Sequence, residues 1–318
     1  MTAEPVPPPP QPGSFGSRAV VTLIAGGLFA SLCWADATGL LGTPAGWWLA
    51  PVAILLAWGG GAEAVALAAA RGLTPCGLLV PAAAAIVPLA AVAGASVPTA
   101  AGTGPAAVIG WAAVAATAGL AAILIAEIAG YRRGADGLAR VACGSLAVAA
   151  IGMPLAFTVA LRLLGGAGGA GRAGGGLLEP LLPLVSMVAV VKGGDIAAYL
   201  VGSTIGRHRM APLISPGKTW EGAVASLAAS LAVAWLLLEA SGPTGRQPWG
   251  GWPVYGLLVG GAGMLGDLSE SLVKRELAAK DSGSSLAGLG GFLDLVDAAL
   301  FAAPVAWVLW VAGPAGGR

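Results

Sequence analysis

The chain has 318 residues, of which 57% are hydrophobic and 10% charged, and its sixteen basic and fifteen acidic side chains leave a net charge of +1. A soluble globular domain carries roughly 25% charged residues, so this composition excludes a soluble enzyme, a disulfide scaffold and a disordered tail protein. With no global basic field, nucleic acid is not an expected partner, and the class that remains is an all-α, polytopic integral membrane protein.

Residues 1–18 are proline-rich and are expected to be a disordered, cytoplasmic N-terminus. They lack the basic start and small-residue cleavage site of a secretory signal, so the first apolar run is expected to be a retained helix. A hydrocarbon core about 30 Å thick needs about 20 apolar residues of helix. On that measure nine spans are expected, at 19–41, 47–70, 78–97, 106–130, 141–164, 177–202, 219–240, 252–273 and 292–311. The glycine-rich stretch 165–176 reads as a flexible linker. It separates an N-terminal transmembrane region, 19–176, from a C-terminal region, 177–318, that is expected to be catalytic and to carry inner-face loops. Cys33, Cys76 and Cys143 show no metal-ligand spacing and are expected to be buried thiols.

Charge placement orients these spans. With a cytoplasmic N-terminus, the inner segments hold Arg18, Arg71, Arg132, Arg133, Arg140, Arg207, Arg209, Lys218, Lys274, Arg275 and Lys280. The outer segments hold only Arg172, Arg246 and Arg318, as the positive-inside rule requires. Trp47, Trp48, Trp249, Trp252 and Trp310 are then expected at the outer interface and Trp220 at the inner one.

An ionisable group inside a bilayer is costly, so each one is a functional hypothesis. Asp36 stands alone, whereas Glu63 and Glu127 are expected to pair locally, with Arg71 and with Arg132 or Arg133. The C-terminal third differs, because its charges and glycines form two blocks, 192–222 and 266–297. In the second block, Asp267 and Glu270 share a helix face, as do Asp294 and Asp297. Carboxylates converging at one depth repel one another unless a cation neutralises them, and Mg²⁺ held by carboxylates, waters and phosphates is the usual solution. Between the two pairs lie Lys274, Arg275 and Lys280, able to hold polyphosphate, and glycines that let backbone N–H groups approach an anion. This is equipment for phosphoryl or nucleotidyl transfer. In the first block, Ser215-Pro216-Gly217-Lys218-Thr219-Trp220-Glu221-Gly222 reads as a tight turn entering a helix. Its Gly-Lys-Thr is no phosphate-binding loop, because Met210-Ala211-Pro212 occupies the region of the first required glycine. Lys192 and Asp195 are spaced to pair with each other, and His208 reads as a headgroup contact in a basic loop.

These residues resemble the integral-membrane phosphatidate cytidylyltransferases, the CDP-diacylglycerol synthases. The resemblance rests on Ser271-Leu272-Val273-Lys274-Arg275, on Lys280-Asp281-Ser282-Gly283, and on Gly288-Leu289-Gly290-Gly291-Phe292-Leu293-Asp294-Leu295-Val296-Asp297. Upstream, Asp195-Ile196-Ala197-Ala198-Tyr199, Gly202, Gly206 and the segment from Ser215 to Gly222 also follow that family. It covers about the last 130 residues closely, as an ordered pair of blocks too long for a chance motif. Two positions depart from the pattern: Leu289 stands where the family has histidine, and Leu295 where it has arginine.

The resemblance implies transfer of CMP from CTP to phosphatidate at an inner-membrane site facing the cytoplasm. It implies Asp267, Asp294 and Asp297 as Mg²⁺ ligands, with a second cation as a further expectation. Lys218, Lys274, Arg275 and Lys280 would hold phosphates, and Lys274 would take part in catalysis beside the three aspartates. Asp195, Asp281, Ser215, Gly290 and Gly291 would shape the substrate cavity. CTP, phosphatidate and the lipid bilayer are the implied partners, and a homodimer is admitted. The rival readings are a CTP-dependent enzyme acting on another lipid phosphate or a polyprenol, and a secondary transporter with an ion site at Lys192 and Asp195. A CDP-alcohol phosphotransferase is set aside, because Asp136-Gly137-Leu138-Ala139-Arg140 is one residue short of that family's opening.

Overall fold

The structure is a computed structural model that describes residues 15–97, 104–131, 136–165, 179–240, 247–276 and 291–314. The described residues form α1 (Phe15–Thr38), α2 (Ala50–Ala69), α3 (Leu79–Ser96), α4 (Pro105–Ala129), α5 (Gly137–Ala147), α6 (Met153–Leu164) and α7 (Leu182–Thr204). A short hairpin, β1 (Arg209–Ala211) and β2 (Ser215–Thr219), precedes α8 (Trp220–Trp235), α9 (Gly251–Glu276) and α10 (Phe292–Ala312). The all-α expectation holds, with this hairpin as an addition. Three of the helices, α2, α4 and α7, have a proline as their first or second residue, where the missing N–H costs nothing.

Among the described residues, each expected span coincides with helix over most of its length. Among the described residues, six helical stretches are long and apolar enough to cross a membrane: α2, α3, α4, the continuous Gly137–Leu164, Glu179–Thr204 and Trp220–Glu239. The continuous stretch joins α5 to α6 through one wide turn at Val148–Gly152. Its Gly152 lies so close to α3 that an added Cβ would stand 2.9 Å from the carbonyl oxygen of Ala84. The last turns of α9 are polar, with Asp267, Glu270, Lys274, Arg275 and Glu276 in place of aliphatic residues.

Two apolar cores lie side by side. One gathers α7, α8, α9 and α10 with the end of α1, around Met187, Val190, Tyr255, Val259 and Trp310. The other gathers α2, α3, α4 and α6, around Ala57, Val80, Ala112, Ile123 and Leu155. Trp307 on α10 packs against both, so α10 is the wedge between the halves. Trp310, expected in an interfacial belt, is buried with its ring edge-on to Tyr255 at 6.2 Å. It lies on the face of α10 that meets the core, and a hydropathy pattern assigns depth but not facing. Trp47, Trp220 and Trp249 are exposed, consistent with interfacial positions.

Asp36 is not alone. It is buried against Arg162, which is buried too and lies 126 residues further along the chain. The Asp36 carboxylate also accepts the backbone N–H groups of Gly46 and Trp48, each at 3.0 Å. Arg162 in turn donates to the carbonyl oxygens of Pro180 and Asp36, each at 3.2 Å. A buried pair satisfied on both sides is strongly destabilised when one member is removed. Arg162→Met is therefore expected to cost about 3–5 kcal/mol, read as a lower midpoint in thermal unfolding of the detergent-solubilised protein. A midpoint matching the unmodified protein would show that Asp36 is satisfied without the guanidinium.

A candidate cation site where the hairpin meets α9 and α10

The hairpin is antiparallel, with Arg209 opposite Thr219 and Ala211 opposite Ser215. The expected tight turn is thus a strand that runs straight into a helix. Thr219 is its N-cap: the hydroxyl accepts the N–H of Gly222 at 3.1 Å, satisfying one of the free donors at the start of α8. Two more contacts hold the hairpin in place. His208 Nδ1 lies 2.6 Å from Glu221 Oε1, and Arg275 Nε donates to the carbonyl oxygen of Ile214 at 3.1 Å. Arg275, expected to hold phosphate, here ties the hairpin to the end of α9. The consequence is that Lys218, on β2, is placed with its Nζ 2.8 Å from Asp267 on α9.

Along α9, Asp267, Glu270 and Lys274 follow one face at helical spacing. Lys274 Nζ lies 2.8 Å from Glu270 and also pairs with Asp294 on α10. Asp294 in addition accepts the N–H of Gly291 at 2.8 Å, capping its own helix. One turn deeper, Asp297 joins Asp267 and Glu270: each of the three offers a carboxylate oxygen, all within 4.8 Å of one another. The set is half-buried, with Glu270 13% and Asp267 39% exposed.

Close helix packing brings these groups to one place. Gly194 on α7 faces α8 so tightly that an added Cβ would stand 2.8 Å from the hydroxyls of both Ser226 and Ser230. Gly256 of α9 likewise leaves only 2.9 Å between such a Cβ and the backbone of Leu231 on α8. Small residues at these crossings let the backbones of α7, α8 and α9 approach, as in other membrane bundles. Asp195, one residue past Gly194, pairs with Lys192 at 3.2 Å and lies within electrostatic reach of Asp267 and Asp297.

Of the residues singled out from the sequence, Asp195, Lys218, Asp267, Lys274, Asp294 and Asp297 therefore converge. Ser215 opens β2 beside the hairpin turn, opposite Ala211. Gly291 is the N-cap of α10. Lys280, Asp281 and Gly290 lie outside the described residues. Two participants were not assigned from the sequence. Glu270 was visible three residues after Asp267, yet only the fold shows it closing the trio with Asp297. Glu63, on α2, accepts the N–H of Leu293 in the first turn of α10 at 3.0 Å, a partner 230 residues away.

The donor set suits a hard divalent cation, since three carboxylate oxygens are the ligands such ions take. With all groups ionised, Asp267, Glu270, Asp294 and Asp297 face Lys218 and Lys274. That leaves a surplus of two negative charges, which one divalent cation would balance. The lysines supply what a polyphosphate needs beside it.

The cytidylyltransferase family model matches residues 16–312. The phosphatidate cytidylyltransferase of Brucella suis is 46% identical over 125 residues, which are 39% of this chain and 45% of that protein. That of Mycobacterium tuberculosis is 41% identical over 123 residues, 39% of this chain and 36% of that protein. That of Mycobacterium leprae is 42% identical over 123 residues, 39% of this chain and 38% of that protein. In each case the matched stretch spans less than half the length of the curated relative.

Proposed function

The chain belongs to the cytidylyltransferase family, and from that premise we propose that it transfers CMP from CTP to phosphatidate, releasing pyrophosphate and forming CDP-diacylglycerol. The observation that carries the proposal is the convergence of Asp267, Glu270 and Asp297 with Lys218 and Lys274 at one end of the C-terminal helices. The relatives are phosphatidate cytidylyltransferases, and that supplies the acceptor.

In this reaction a phosphate oxygen of the lipid forms a bond to the α-phosphorus of CTP as the bond to the β-phosphate oxygen breaks. The nucleophile is already an anion, so no strong base is required, and positioning with charge neutralisation dominates. Mg²⁺, held by Asp267, Glu270 and Asp297, would neutralise phosphate charge and draw the reacting groups together. Lys218 and Lys274 hold phosphate oxygens from opposite sides, Lys218 from the hairpin and Lys274 from α9. Asp294 orients Lys274 and fixes the first turn of α10. Lys280, Asp281 and Gly290 would extend the phosphate site, with Ser215 and Gly291 lining it and Asp195 setting the charge on its α7 side.

The basic residues around the hairpin support a cytoplasmic site and N-terminus in the cell inner membrane, where CTP is available. Residues 177–318 would then supply the reacting groups and 19–176 the scaffold. An intramembrane transport site at Lys192 and Asp195 is less well supported, because these two charges pair with each other while the remaining ones gather beside the hairpin.

The test is purified protein with CTP labelled in its α-phosphate, phosphatidate and Mg²⁺. Label recovered in lipid, with one pyrophosphate released per lipid formed, is the expected result. Folded protein that labels a polyprenyl phosphate but not phosphatidate would replace the acceptor, and protein that labels neither would defeat the proposal.

A further inference from the structure

Most of the proposed chemistry lies on α9 and α10, yet the first turn of α10 is held from the other half of the bundle. Glu63 on α2 is 6% exposed, which is expensive for a carboxylate in a membrane helix. Its Oε2 accepts the backbone N–H of Leu293 at 3.0 Å. That N–H is one of the four at a helix start that have no partner within the helix. A carboxylate there also meets the positive end of the helix dipole.

The same segment of α2 carries Gly59, Gly60 and Gly61. A Cβ on Gly59 would collide with the ring of Phe292, and a Cβ on Gly60 would stand 3.3 Å from the side chain of Leu293. Gly61 makes a similar approach on another side, where a Cβ would lie 2.9 Å from the backbone of Pro81 on α3. Phe292 and Leu293 are therefore seated against bare backbone, one turn away from a buried carboxylate that caps them. Asp294 follows directly, and Asp297 is one turn further along the same helix.

We propose that Glu63 is a positioning residue of the cation site: by capping Leu293 it fixes the rotation and depth of the first turn of α10, and so the reach of Asp297 toward Asp267 and Glu270. The inference rests on the reading of that trio as the cation site. It also gives the N-terminal helices a role in catalysis beyond scaffolding. A structural cap alone would affect only stability, whereas a positioning cap also affects cation affinity in fully folded protein.

The measurement is Mn²⁺ affinity by electron paramagnetic resonance on purified protein, with thermal unfolding recorded in parallel, for Glu63→Ala, Glu63→Gln and Gly59→Ala. Groups that orient metal ligands change affinity by roughly 10–100-fold when removed, and Glu63→Ala is expected to weaken Mn²⁺ binding on that scale well below its unfolding midpoint. Glu63→Gln keeps a carbonyl oxygen for the Leu293 N–H and should recover most of the affinity. Gly59→Ala displaces Phe292 without touching Glu63 and should also weaken binding, so the proposal is testable even where Glu63→Ala does not fold. Wild-type affinity in folded Glu63→Ala or Gly59→Ala, or a Gln variant as weak as the Ala variant, would overturn it. Absence of Mn²⁺ binding in the unmodified protein would instead overturn the cation-site reading beneath it.

Discussion

Asp297→Asn is expected to abolish CMP transfer, lowering kcat by about 10²–10³-fold or more, on the scale seen when one group stabilising transition-state charge is lost. The substitution keeps the side chain's size and removes only its charge. Asp297 is the contribution of α10 to a trio whose other members, Asp267 and Glu270, are both on α9. Losing it leaves two carboxylates on one helix face, which is an ordinary surface arrangement and no enclosure for a cation. The activity that remains should need much higher Mg²⁺, because the surviving ligands bind it more weakly. Turnover with the wild-type Mg²⁺ dependence would remove Asp297 from the site.

Lys274→Met is expected to act on two quantities that respond differently to added cation. The ammonium pairs with both Glu270 and Asp294, and its side chain is only 17% exposed. Removing it leaves two half-buried carboxylates facing each other across the α9–α10 contact. Breaking a buried pair by deleting one partner costs about 3–5 kcal/mol, and partial exposure here places the expected loss at the lower end or below. Millimolar Mg²⁺ should restore much of the unfolding midpoint, since a divalent cation can neutralise the same carboxylates. It should not restore activity, because methionine cannot hold a phosphate oxygen. Recovery of turnover by Mg²⁺ alone would reduce Lys274 to a structural counter-ion.

The helices were legible because a run of about 20 apolar residues has few alternatives in a bilayer. Their ends were less so: the stretch expected from 141 begins at Gly137, and the one expected from 177 has its α-helix from Leu182. Facing was not legible at all, as Trp310 shows, since depth follows from composition but orientation depends on which neighbours pack. The charged residues divide in the same way. Lys192 and Asp195 are three apart and do pair, and the carboxylates of α9 and α10 are recognisable by spacing. The partners of Asp36, Glu63 and Glu127 were hidden by sequence separation. Asp36 pairs with Arg162, Glu63 with the backbone of Leu293, and Glu127 with Arg140 at 2.7 Å. A local reading looks for counter-charges within two turns, whereas a helical bundle can supply them from a helix more than a hundred residues away. Ser215-Pro216-Gly217 carries turn residues and so predicts a turn. Its pairing with Arg209–Ala211 depends on a register that only the folded chain sets.

In the proposed mechanism Asp267, Glu270 and Asp297 form one divalent-cation site shared with the nucleotide. The direct measurement is a Mn²⁺ titration of the purified protein followed by electron paramagnetic resonance, with and without CTP, for the unmodified chain and for Asp267→Asn, Glu270→Gln and Asp297→Asn. One tightly bound Mn²⁺ per chain, displaced by Mg²⁺, strengthened by CTP and lost in all three variants, is the predicted result. A bound Mn²⁺ that survives all three substitutions, or no bound Mn²⁺ in the folded wild-type protein with CTP present, would contradict it.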